Sequence, residues 1–120
     1  MAQRILLLDD DPEIAYQRVL ILGMHGFRVD VACNLGEAME KRRAADYDLI
    51  LVELREHEDA DAALAWCEES KDEYPHQQFA LLVPRFAHIG SDCPDDVIHK
   101  NGPAQLVERV KRLMEAAPAS

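Results

Sequence analysis

The chain has 120 residues, 48% of them hydrophobic, which suits one domain with one continuous core. Its net charge of −10, from 13 basic and 23 acidic residues, argues against a nucleic-acid or anionic-membrane surface, since both would repel it. The three cysteines, Cys33, Cys67 and Cys93, are widely separated and lack metal-ligand spacing, so reduced thiols in a cytoplasmic protein are expected.

Apolar runs alternate with helical patterns from end to end, as expected of a parallel sheet covered on both faces. The run Ile5 to Leu8 stops at Asp9, Asp10 and Asp11, and Pro12 stands where a first helical residue follows an Asp cap. A helix over 12–24 carries Ile14, Val19, Leu20 and Leu22, and Gly26 separates it from a strand over 28–32. Asn34 with Glu37 three residues later caps a helix reaching Ala44. Residues 48–54, almost wholly apolar apart from Glu53, read as the central buried strand.

A helix over 59–73 follows, with Trp66 and Cys67 as packing residues. Residues 79–83 then form a strand ended by Pro84. Residues 85–94 hold no sustained helical period and read as loop or a single turn. Arg85 and Phe86 sit where they can either fold over the crevice or anchor a partner. A short strand over 97–99 precedes a last helix begun by Gly102 and Pro103, with Leu106, Val110 and Leu113 on one face. The domain is expected to span 1–116, with 117–120 as a flexible tail or the start of a linker. No apolar run approaches the roughly 20 residues of a membrane helix.

In an open parallel sheet the functional crevice lies beyond the carboxyl ends of the strands. Asp9, Asp10, Glu53, Val83 and Lys100 all fall there. Three carboxylates beside one lysine make Asp9, Asp10 and Glu53 a candidate site for a hard divalent cation. The plainer alternative is a set of solvated loop-end acids with Lys100 as an ion-pair partner. Asp11 reads as a helix cap. His57 with Glu56, Glu58 and Asp59 reads as a solvated acidic loop.

The segments ILLLDDDPEI, GFRVDVACN with GEAM, YDLILVEL and DDVIHK resemble the receiver domain of two-component response regulators, over essentially the whole chain. The resemblance implies a flavodoxin-like five-stranded parallel sheet in the order 2-1-3-4-5. It also implies a magnesium ion held by the acid pair, Asp9 and Asp10 here, and phosphoryl transfer from a histidine kinase to an Asp ending the third strand. A hydroxyl residue ending strand four, Lys100 after strand five, and an aromatic three residues before that lysine would complete the switch.

Several positions depart from that pattern together. Glu53 stands at the phosphoacceptor position, and its extra methylene spoils in-line attack. Val83, 30 positions after Glu53, replaces the hydroxyl residue, and Val97 replaces the aromatic. Asn101 stands where a proline commonly follows the lysine. Lys100 follows Val83 by only 17 positions, a shortfall of more than one helical turn of about 3.6 residues, so the fourth helix is shortened or missing.

The expected function is therefore that of a pseudo-receiver: a non-enzymatic, phosphorylation-independent module that binds a kinase, an output domain or itself. No cofactor is required, and magnesium binding is at most weak. Glu53 could reach Lys100 as a standing mimic of a phosphoryl group. Two alternatives are a phosphoacceptor using another acid such as Asp10, and a structural or dimerisation domain of a longer protein.

Overall fold

The structure is a computed structural model that describes residues 2–55 and 60–116. In chain order the elements are β1 (Arg4–Leu8), α1 (Pro12–Met24), β2 (Arg28–Ala32), α2 (Leu35–Ala44) and β3 (Leu49–Glu53). They continue with α3 (Ala60–Glu73), β4 (Gln78–Val83), β5 (Asp96–His99) and α4 (Pro103–Ala116). The five strands form one parallel sheet in the order β2-β1-β3-β4-β5. The doubly wound architecture expected from the alternating pattern is thus the one observed. No helix lies between β4 and β5. The acidic loop around His57 lies outside the described residues.

The local signals account for the element ends. Asp11 caps α1 by accepting from the Glu13 and Ile14 amides at 2.9 and 3.3 Å, and Pro12 fills a position whose N–H would otherwise lack a partner. Gly26, at φ 88°, turns the chain out of α1 in a conformation that a side chain would strain. Asn34 caps α2 by accepting from the Glu37 amide at 2.9 Å.

Strand alternation divides the core into two layers. Ile5, Leu7, Leu49, Leu51, Ala80, Leu82 and Ile98 face α1 and α4, meeting Ala15 and Leu22 from α1 and Leu106, Val110 and Leu113 from α4. Leu6, Ile50, Val52, Phe79, Leu81 and Val83 face α2 and α3, where Trp66 packs edge-on against Phe79 with ring centroids 5.3 Å apart. Each fully buried Leu, Ile or Phe contributes roughly 1.5–3 kcal/mol of apolar burial. On α1, however, Leu20 is largely outside this layer, and the helix presents Tyr16, Leu20 and Met24 to solvent.

The segment 84–95 covers the sheet where a helix would otherwise pack. Ala87, Ile89 and Cys93 lie against the α3-side layer. The segment is held at both ends: His99 Nε2 lies 2.9 Å from the Ala87 carbonyl, and the Asp95 amide donates to the Phe79 carbonyl at 2.7 Å. Loop packing thus substitutes for helix packing on this half of the sheet.

Candidate functional site

The carboxyl ends of β1, β3, β4 and β5 bring Asp9, Asp10, Glu53, Val83 and Lys100 to one edge of the sheet, as the sequence predicts. Their surroundings differ from the solvated set that was the plainer expectation. Asp9 is 3% exposed and Glu53 4%, so two carboxylates are buried and need counter-charge.

Glu53 obtains that charge from two directions. It shares the strand parity of Leu49 and Leu51 and therefore points to the α1 side of the sheet. There Arg18 lies at helical spacing between Ala15 and Leu22, the buried positions of α1. The guanidinium donates from Nε to Glu53 Oε1 at 3.0 Å and from Nη2 to Oε2 at 3.1 Å. Lys100 Nζ lies 3.0 Å from the same Oε2 and donates to the Leu54 carbonyl at 2.7 Å. The pairing of Glu53 with Lys100 was legible in the sequence, whereas Arg18 was not singled out there.

A third cation serves the acid cluster. Arg55 Nη2 lies 3.2 Å from Asp9 Oδ1, 2.8 Å from Asp10 Oδ1 and 3.6 Å from Asp11 Oδ2. Asp9 Oδ1 also accepts the Asp11 amide at 2.9 Å, while Asp9 Oδ2 is buried without a hydrogen-bond partner. Burial pushes the Asp9 carboxyl above its ordinary range. The Asp11 amide acts downward, the neighbouring Glu53 carboxylate adds to the rise, and Arg55 opposes it.

This arrangement does not fit a magnesium ion as it stands. Among the described residues no three His, Cys, Asp or Glu side chains are grouped to hold a metal. A cation at Asp9 and Asp10 would have to displace Arg55, and both Glu53 oxygens already face Arg18 or Lys100. Val83 is fully buried and offers only methyl groups, which form no hydrogen bond. Val97 is half-buried against the α3-side layer.

Beyond the crevice, Pro84, Arg85, Phe86 and Ala87 line a groove shared with Arg55 and Lys100. Phe86 is 90% exposed, with the Arg85 guanidinium 5.4 Å from its ring centre. Of the two placements left open for this pair, the structure has the outward one. No described helix is long and apolar enough to cross a membrane.

No protein-family model and no curated protein matches this sequence. Solved structures do match it. A response regulator from Thermotoga maritima aligns with a TM-score of 0.79 at 22% identity, covering 97% of this chain and 100% of that one. The response regulator protein TrrA from the same organism, solved in complex with Mg2+-BeF, aligns with a TM-score of 0.79 at 28% identity, covering 92% and 98%. TrrA has also been solved in complex with the histidine kinase ThkA. A CheY-like receiver domain protein from Methanospirillum hungatei JF-1 gives 0.80 at 23% identity, covering 96% and 95%. The chain has the receiver fold of response regulators.

Proposed function

We propose that this domain is a pseudo-receiver, a cytoplasmic regulatory module that binds a signalling protein without accepting a phosphoryl group and without catalysing a reaction of its own. The observation that carries the reading is the Glu53 carboxylate, buried and closed between Arg18 and Lys100. Phosphoryl transfer to a carboxylate needs a free oxygen lone pair aligned with the donor and cations left over for the transferred group. Here the oxygens and the cations already neutralise one another. Glu53 thereby occupies Lys100 permanently, as a bound phosphoryl group would do only transiently.

The remaining switch positions support the same reading. Val83 supplies no side-chain hydrogen bond and Val97 no aromatic ring, so a change at position 53 is not relayed through a hydroxyl or an aromatic side chain at these two positions. In place of the switch the domain offers a fixed surface: the exposed Phe86 beside Arg85, and the stripe of Tyr16, Leu20 and Met24 on α1. Aromatic and arginine side chains are the usual anchors of protein interfaces. A kinase, as TrrA binds, an output domain or a second copy are the partner classes consistent with this surface. The net charge of −10 disfavours nucleic acid and anionic membrane. Magnesium at Asp9, Asp10 and Glu53 is weak in this reading because it competes with Arg55.

Incubation with a small acyl phosphate in magnesium, followed by intact-mass measurement, tests the proposal. The expected result is an unchanged mass. An added phosphoryl group on Asp10, Glu53 or any other carboxylate overturns the reading in favour of an active phosphoacceptor.

A further inference from the structure

Two of the three cysteines, 26 positions apart in the chain, meet on the side of the sheet away from Arg18. Cys67 is fully buried on α3, Cys93 is half-buried in the segment 84–95, and their sulfurs are 3.0 Å apart. A disulfide bond is about 2.0 Å long, so bonding requires an approach of only about 1 Å.

The backbone on either side of Cys93 is already set. The Cys93 amide donates to Ser91 Oγ at 3.1 Å. The Asp95 carboxylate accepts from the Phe79 amide at 2.8 Å and from Lys71 Nζ at 2.7 Å. Lys71 belongs to α3, the same helix as Cys67, so both sides of the thiol pair are tied together independently of the sulfurs. Closing the bond therefore orders little further chain.

We propose that Cys67 and Cys93 form a reversible disulfide, an oxidation site that fastens the segment standing in place of a helix to α3. The two thiols are unequal. Cys93 is the accessible one, whereas burial, aided by the Cys93 thiol, pushes the Cys67 thiol far above its ordinary range, so Cys67 stays protonated in isolation. With a low-molecular-weight disulfide such as oxidised glutathione as oxidant, the Cys93 thiolate attacks one glutathione sulfur. Its S–S bond breaks, one glutathione leaves as thiolate and takes up a proton, and a mixed disulfide remains on Cys93. Cys67 then loses its proton to a base and attacks the Cys93 sulfur, expelling the second glutathione thiolate, which is protonated in turn. The protein dithiol is oxidised by two electrons and one glutathione disulfide is reduced to two thiols. Cys33, exposed at the end of β2, stops at the mixed disulfide because no thiol stands beside it among the described residues.

The test exposes the full chain to oxidised glutathione, traps it with acid and an alkylating agent, and reads intact mass and a peptide map under native and then denaturing conditions. The expected product contains a Cys67 to Cys93 cross-link, which accounts for the loss of two hydrogen atoms, and carries one glutathionyl group in place of the thiol hydrogen of Cys33 alone. The Cys33→Ser variant keeps the cross-link. The Cys93→Ala variant, altered only in a half-buried loop residue, loses it and leaves Cys67 unreacted until denatured. A glutathione adduct persisting on Cys93, or both thiols remaining alkylatable after denaturation, overturns the proposal. The outcome is separate from that of the phosphodonor experiment, since neither thiol touches Glu53 or its partners.

Discussion

Arg18 and Glu53, 35 positions apart, are joined by two parallel hydrogen bonds of 3.0 and 3.1 Å, so that a helix side chain neutralises a carboxylate at the end of the central strand. The fork of the guanidinium matches the two carboxylate oxygens, a geometry that a lysine at position 18 would not reproduce.

Because the Glu53 side chain is 1% exposed and that of Arg18 19%, removing one partner leaves a charge with little access to water. Arg18→Met is expected to destabilise the domain by about 1.5–3 kcal/mol, the range of a hydrogen bond to a charged group. The Arg18→Met, Glu53→Leu double variant is expected to lose less than the sum of the two single losses, since each single change already forfeits the same pair of hydrogen bonds between Arg18 and Glu53 while Lys100 remains beside position 53 in both backgrounds. Urea unfolding of the four proteins in the cycle measures this, and strictly additive losses would show that the pair is not coupled.

Asp9 governs an acid-side pH dependence. Folding raises its pKa above 3.8, so the folded state holds that proton more tightly than the unfolded chain does. The sign follows from linkage: as pH rises from the ordinary value through the raised one, the Asp9 contribution to stability falls, and it stays at its lower level above that window. Asp9→Asn keeps an acceptor for the Asp11 amide and carries no charge. Over that window the wild-type domain is expected to lose stability relative to Asp9→Asn. Thermal midpoints of both proteins across a pH series check this, and curves that run parallel would contradict it.

Arg55 stands where a cation at Asp9 and Asp10 would sit. Truncation by Arg55→Ala is expected to raise the affinity of the acid pair for manganese by about tenfold or more, a difference of about 1.4 kcal/mol. Paramagnetic broadening of the Asp9, Asp10 and Asp11 amides during a manganese titration reads it directly. Equal broadening in both proteins would mean that Arg55 does not compete.

Local chemistry made much of the fold legible. Pro12 after Asp11 and the apolar run 49–52 mark α1 and β3, and the short interval from Val83 to Lys100 pointed to a shortened or missing helix there. The observed β3, Leu49–Glu53, is one residue shorter at each end than the apolar pattern suggested. Glu53 and Lys100 could be paired in advance because both end strands of one parallel sheet. Arg18 and Arg55 were less visible. Their roles depend on side-chain direction, although Arg18 at helical spacing between Ala15 and Leu22, and Glu53 in phase with Leu49 and Leu51, carried a usable signal. The meeting of Cys67 with Cys93 depends on the path of an irregular segment, which no periodicity encodes.

The most direct test of a closed, unswitched crevice is a backbone amide NMR titration with magnesium and then beryllofluoride. The domain is predicted to show, at most, shifts at Asp9 and Asp10 on adding magnesium, and no further change at Glu53, Val83, Val97 or α4 on adding beryllofluoride. Shifts that spread from Glu53 to Val97 and α4 would show an intact phosphoryl-responsive switch and contradict the account.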